Sequence, residues 1–336
     1  LVNNLEQEET VLSSVNTAID RARVLMIQSG NGIVGTEDRK AIAIEISQIR
    51  DQIFDLMNSR NPDGEYIFAG FQSGSPAFSF NPSAAGDKYR FEGDEGENKI
   101  QVSDTISLQV NNSGRDVFED VLSRLKATVS GSVGATDISL NVQGQTAFDN
   151  FHEANYDAVT PANNEFQITI LSATQVQITN LGTGTVLDTV DFSSGNTMLY
   201  KGLEFNVTGT LGDTVNFQLE NPQKRNIAET LNDFVNALNN ENIANGDFDE
   251  ALTDVLVGVN NAMINIANTI SKIGGRRNTA DSVFASNLDL EISSKTARSN
   301  IEEVDYAEAV SELSRQETAL QAAQATFSRV TGTSLF

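Results

Sequence analysis

Residues 1–31 read LVNNLEQEETVLSSVNTAIDRARVLMIQSGN, and the spacing of their apolar side chains decides the fold. Leu5, Leu12, Val15, Ile19, Ala22 and Met26 fall on alternating steps of three and four, with Glu8 the only polar intruder. That spacing puts one greasy stripe along one face of a helix, and no proline interrupts it. Asn31-Gly32 predicts its end. A second helix is predicted from about Glu37 to Asn58, with Ile42, Ile46, Ile49, Ile53 and Leu56 on the same steps. Two such stripes joined by a short Gly-containing loop read as an antiparallel pair of long helices.

Beyond Asn61-Pro62-Asp63-Gly64 the period switches to two. Ile100/Val102, Ile106/Leu108/Val110, Ile138/Leu140/Val142, Phe166/Ile168/Ile170, Leu203/Phe205/Val207 and Val215/Phe217/Leu219 alternate with polar residues, as half-buried strands do. Gly, Asn, Asp and Ser separate them at hairpin intervals. One helix is expected inside this region, near Asp116–Ser130, with Asp116 and Glu119 as a capping box.

From Pro222 the pattern is helical again. Asn221-Pro222 reads as an N-cap followed by proline in the first turn. Ile227, Leu231, Phe234 and Leu238 form one face, and a longer helix carries Leu252, Val255, Val259, Ala262, Ile266 and Ile273. Gly274-Gly275 is a candidate stop, although the pattern resumes at Val283 and Leu288. The last segment bears Tyr306, Val310, Leu313, Leu320 and Phe327 on heptad steps.

The expected architecture is α+β and multi-domain. N- and C-terminal arms (1–75 with 222–300) build a long antiparallel helical bundle. A mostly antiparallel β domain (76–221) is inserted between them, and a C-terminal assembly helix occupies 301–336. The arms must pack on each other, because an amphipathic helix cannot bury its stripe alone. The stripe of 301–336 finds no counterpart upstream, has a small-residue run (Ala319, Ala322, Ala323, Ala325), and reads as an association element.

Composition narrows the function. The 336 residues include 46 acidic and 22 basic side chains, a net charge of −24. The charge is spread evenly: residues 76–220 hold 19 acidic and 7 basic groups, the rest 27 and 15. So negative a surface repels phosphate backbones and anionic lipid, which argues against nucleic-acid and membrane partners. There is no Cys, no Trp and one His, so thiolate chemistry and disulfides are excluded and a zinc site has few ligands to draw on. His152 in Phe151-His152-Glu153 lacks the second His of H-E-x-x-H and reads as a surface or hairpin residue. Gly93-Asp94-Glu95-Gly96-Glu97-Asn98 has carboxylates suited to Ca²⁺ but not EF-hand spacing, and reads as a solvated hairpin. Glu302-Glu303 are neighbours on a helix and point apart. Gly274-Gly275-Arg276-Arg277 reads as a helix-terminus or interface feature. With no nucleophile–base pair, phosphate loop or nucleotide fingerprint, no enzyme, cofactor, metal or small-molecule substrate is expected. No charged segment followed by an apolar run marks a cleavable signal.

Three stretches together carry a family resemblance. Arg21-Ala22-Arg23-Val24-Leu25-Met26-Ile27-Gln28-Ser29-Gly30-Asn31 resembles the R-x-R-x-L-x-x-Q-x-x-N stretch of the flagellin superfamily. Asn300-Ile301-Glu302-Glu303-Val304-Asp305-Tyr306-Ala307 resembles the I-E-D-A-D-Y-A start of its C-terminal helix, and Ile273-Gly274-Gly275-Arg276-Arg277-Asn278 its L-G-A-x-x-N element. Within that superfamily, Asn61 to Gly70 is similar to the N-x-x-x-G-x-Y-x-F-A-G of the hook-associated protein 3 (hook–filament junction) family, through Tyr66, Phe68 and Gly70; flagellins carry F-N-G there. Gly202-Leu203-Glu204-Phe205 followed by Gly212-Asp213 resembles that family's second signature, and Ser334-Leu335-Phe336 its S-L-F-D-Y-L tail.

The resemblance implies a structural protein of the bacterial flagellum, exported without a cleaved signal and polymerising as a thin ring. The implied partners are the first hook-associated protein, flagellin, sister subunits and an export chaperone. It assigns Asp305, Tyr306, Val310, Leu313, Leu320, Phe327 and Leu335 to assembly. Leu5, Leu12, Val15, Ile19, Met26, Ile42, Ile46, Ile49, Ile53, Val259 and Ile266 fall to arm packing. It also implies that the helix pairing with 301–336 precedes Leu1. The rival readings are a flagellin filament subunit and a surface-exposed binding or adhesion module carried by the β insert.

Overall fold

The computed structural model describes residues 1–31, 35–302 and 306–332. They form two compact units. The first comprises Leu1–Lys99 and Gln109–Ile273, the second Ile100–Leu108 and Gly274–Phe336.

The first unit has two hydrophobic cores. Four helices enclose the larger one: α1 (Val2–Ser29), α2 (Thr36–Met57), α4 (Ile227–Asn239) and the N-terminal part of α5 (Asn245–Glu302). Antiparallel neighbours are fixed by cross-links. Arg21 Nε donates to Glu45 Oε1 at 3.0 Å and Gln7 Nε2 to the Arg60 carbonyl at 2.8 Å, aligning α1 with α2. Arg50 Nη1 donates to Asn232 Oδ1 at 3.0 Å, and Lys40 pairs with Glu241, aligning α2 with α4. Glu37 and Asp38 in the first turn of α2 suit its positive end.

The intruder in the α1 stripe has a purpose. Glu8 is fully buried, and its Oε1 accepts from Asn112 N at 3.1 Å and Asn112 Nδ2 at 2.6 Å. A buried carboxylate is tolerable when such donors replace water. Residues 58–99 and 109–121 thus lie against the helices rather than with the later strands. The hairpin β1 (Phe78–Phe80) and β2 (Tyr89–Phe91) packs there, and Ala77, Phe78, Tyr89, Phe91, Val117, Phe118 and Val121 belong to the helical core. A short hairpin, β3 (Lys99–Gln101) with β4 (Ser107–Gln109), follows. The helical core therefore reaches well past residue 76, where the sequence pattern places the start of the insert.

The second core begins at Ala127. An antiparallel five-stranded sheet runs in the order β10 (Val186–Asp191), β9 (Gln175–Asn180), β8 (Glu165–Ile170), β13 (Thr214–Leu219), β6 (Ala127–Val133). A three-stranded sheet runs β11 (Thr197–Tyr200), β12 (Leu203–Thr208), β7 (Thr136–Val142). Phe166 stacks on Phe217 at 5.2 Å, and Phe205 meets Phe217 edge-on at the same distance, joining the two sheets through their rings.

Four expectations need correction. Where a helix was expected at Asp116–Ser130 there is only a wide turn, Arg115–Glu119, closed by Asp120 N donating to the Arg115 carbonyl at 2.8 Å. Glu119 caps no helix; its carboxylate accepts from Phe91 N at 2.8 Å. Residues 121–122 (β5) pair with Lys224–Arg225 (β14), and β6 pairs with β13, so strand partners override the local helical pattern.

α4 does not start at Asn221-Pro222. Its cap is Asn226, whose Oδ1 accepts from Ala228 N at 2.9 Å. Gly274-Gly275 does not stop α5, which continues to Glu302, so the Gly-Gly-Arg-Arg stretch lies inside a helix rather than at its end. His152 is neither on the surface nor in a hairpin. It is buried on α3 (Gln145–Asn155), stacked on Tyr156 at 4.8 Å, with Nε2 2.8 Å from the Glu220 carbonyl oxygen.

Candidate assembly surfaces

The side chains assigned to arm packing are where packing needs them. Leu5, Leu12, Val15, Ile19 and Met26 on α1, Ile42, Ile46, Ile49 and Ile53 on α2, and Val259 and Ile266 on α5 are all buried in one core. Fully burying each is worth about 1.5–3 kcal/mol.

The motif residues tie the loops to one end of this bundle. Phe68 is buried edge-on against Phe118 at 5.0 Å. Tyr66 lies half-buried under the Arg60 guanidinium, 4.3 Å from its ring centre, and its hydroxyl meets Arg60 Nη2. Gly70 has φ +68°, and a Cβ there would come within 2.2 Å of the Asp94 carbonyl oxygen. Glycine alone satisfies both conditions. The acidic turn that follows also serves the backbone: Asp94 Oδ1 accepts from Phe71 N and Gly96 N, each at 2.8 Å. Among the described residues no group of three His, Asp or Glu side chains is placed to hold a metal ion.

A charged cluster joins the β insert to the bundle. Lys126 Nζ donates to Glu250 Oε1 and Asp254 Oδ2, both at 2.7 Å, and Arg124 Nη1 donates to Asp254 Oδ1 at 3.0 Å. The hydrogen bond from Lys126 holds the Glu250 carboxyl below the usual range. Burial pulls the Lys126 ammonium down, but its bonds to Asp254 and Glu250 outweigh that and hold it up. A cavity of about 330 Å³ opens beside them, lined also by Arg225, Asp233 and Phe234. Arg225 pairs with Asp233 at 2.6 Å, so the cavity's cations face carboxylates of the same chain.

In the second unit, α6 (Tyr306–Gly332) carries the stripe assigned to assembly, and no residue on it is buried. Tyr306 is 83% exposed and Phe327 71%; Val310, Leu313 and Leu320 are also exposed. Asp305 and Leu335 lie outside the described residues, as do Glu303 and Ser334–Phe336. The apolar surface extends further than the sequence reading placed it. Phe284, Leu290, Ile292 and Ile301 on α5 are exposed too, along with Leu288. Steps of four from Phe284 through Leu288 to Ile292 carried that signal. Exposed apolar surface on this scale marks association sites in soluble proteins. No helix among the described residues is long and apolar enough to cross a membrane.

Residues 2–73 match the bacterial flagellin N-terminal helical region, and residues 256–335 match the bacterial flagellin C-terminal helical region. Both ends of this chain are thus similar to the flagellin helical regions. The two matched regions hold α1, α2, most of α5 and α6, the elements of the buried and the exposed stripes. A flagellar hook-associated protein 3 of Escherichia coli (strain K12) is 32% identical over 131 residues, 39% of this chain and 39% of that protein. The match thus spans about two fifths of the length of the curated relative.

Among solved structures, FlgL of Xanthomonas campestris superposes with a TM-score of 0.62 at 19% identity, covering 89% of this chain and 94% of that one. A flagellar hook associated protein-3 of Legionella pneumophila gives 0.62 at 24% identity, covering 90% and 93%. These likenesses show a shared fold of helical arms around an antiparallel sheet domain. The second core, from Ala127 to Leu219, lies outside both flagellin regions.

Proposed function

We propose that this chain is a structural junction protein of the bacterial flagellum, adapting the hook to the flagellin filament by helix-mediated polymerisation. The observation that carries the reading is the uncovered apolar stripe of α6 within the flagellin C-terminal region, in contrast to the α1 stripe, which its own bundle covers. The name of the relatives, hook-associated protein 3, points to the hook end of the structure. On this reading Tyr306, Val310, Leu313, Leu320 and Phe327, with Asp305 and Leu335, make contacts between subunits. The partners are the first hook-associated protein, flagellin, sister subunits and an export chaperone, and the chain works outside the cell after export without a cleaved signal. The role requires no catalytic step and no cofactor.

The test is complementation of cells lacking the protein with Leu313→Lys/Leu320→Lys. Hooks without filaments, together with an unchanged melting curve of the purified variant, are the expected result. Normal filaments on hooks would remove the role assigned to α6. A flagellin subunit is the second reading, favoured by the two flagellin helical regions. Long filaments formed by the purified chain alone would decide for it.

A further inference from the structure

We propose that helix α5 carries a built-in joint at Gly274-Gly275, where it bends or opens while its N-terminal part stays locked in the bundle. The helix contains another glycine whose presence packing explains. A Cβ on Gly258 would meet Thr230 Cγ2 of α4 at 2.9 Å, so Gly258 lets two helices approach closely. At Gly274 and at Gly275 a Cβ would meet nothing within 4 Å. Close approach therefore does not account for either, and both have ordinary helical φ values that alanine adopts freely.

What two adjacent glycines do in an unpacked helix is weaken it. Each lowers the local helical equilibrium about fivefold relative to alanine, and the pair together about twenty-five-fold. Elsewhere in α5 tertiary burial offsets such losses. Val255, Val259, Ala262, Ile266 and Ile273 are in the core, and Ile273 is its last member. Beyond Gly275 the only buried side chain on α5 is Ala280. The division between the two compact units falls between Ile273 and Gly274. Thr279 Oγ1 also donates to the Gly275 carbonyl oxygen at 3.0 Å, a back-bond to the preceding turn of the kind that bends helices. The weakest backbone of a 58-residue helix thus stands where its part in the helical core ends.

The use of such a joint rests on the junction reading: a subunit that meets unlike neighbours gains if its exposed stripe can adjust without disturbing its core. The joint itself is tested without any flagellar readout, so the two can fail separately. Because the chain has no Cys, Asn268→Cys and Ser282→Cys give a unique pair for spin labels in this chain. Fourteen helical residues span about 21 Å, within the range of pulsed dipolar spectroscopy. The expected result is a broad distance distribution that narrows to one peak in Gly274→Ala/Gly275→Ala, with amide exchange at residues 275–279 slowed at least about tenfold. A single narrow peak in the glycine-bearing chain, or exchange unchanged by the alanines, would overturn the joint.

Discussion

Helices α1 and α6 are nearly the same length, 28 and 27 residues, and both carry apolar side chains on heptad steps. In α1 the stripe is buried by α2, α5 and the loop that brings Asn112 to Glu8; in α6 nothing is buried. Periodicity states that a surface seeks cover, not what supplies it. One stripe is satisfied within the chain and builds the fold. The other is left over, and in a soluble protein a leftover stripe of this length is the part of the sequence that speaks of assembly.

Large-to-small substitutions give the widest separation between the two. Phe68→Ala should cost about 3–5 kcal/mol and Ile19→Ala about 2–5 kcal/mol in urea unfolding, because each leaves a cavity in a fully buried site. Losses below about 1 kcal/mol at both would mean that the helical core is far looser than its packing. Gly70→Ala comes next. The side chain would collide with Asp94 and force a positive φ, so a loss of about 1–3 kcal/mol is expected by thermal unfolding. A similar loss is expected for Glu8→Ala, which strands the two Asn112 donors in the core, whereas Glu8→Gln keeps an acceptor there and should recover part of it.

Much of this contrast is legible in the sequence, for physical reasons that differ by element. The helical arms announce themselves because nothing breaks their period over twenty or more residues. The strands at Phe166, Leu203 and Val215 are equally plain, since their alternation matches one buried face. Glu8 looks like an error in its stripe because its partner lies 104 residues away. Residues 116–130 look helical because nothing local reveals that Ala127–Val133 will pair with Thr214–Leu219. Helix α3 is short, has no side-chain cap, and hides His152 behind polar neighbours. In α6 the stripe is visible and its cover is not, since that cover is not encoded in the same helix.

Between the covered and uncovered extremes stand the half-buried ion pairs that join the β insert to the bundle. Glu250 is held below its ordinary range by Lys126, so its contribution is present above about pH 4.3, the unfolded value, and is lost as pH falls through the folded one. Lys126 is held above its ordinary range, so its contribution is present below about pH 10.4 and is lost only as pH rises beyond that. The window of full effect therefore spans neutral pH. Discounted for its exposure, Lys126→Ala should cost no more than about 1 kcal/mol at pH 7, and the difference should shrink on acidification below about pH 4. A penalty that persists unchanged at pH 3 would mean the lysine acts through packing of its stem instead.

The smallest effect on folding is expected where the effect on assembly is largest. Leu320→Ser removes an apolar side chain that is 60% exposed and touches no core, so the stability of the isolated chain should change by less than about 0.5 kcal/mol. The same substitution at Leu12 exchanges a fully buried leucine for a hydroxyl without a partner and should cost several times more. Equal costs at the two positions, measured at one low protein concentration, would show that α6 is already covered in solution, by its own chain or by a second copy. Repeating the measurement across protein concentrations separates those cases, because cover supplied by another copy makes the midpoint rise with concentration and cover from within does not.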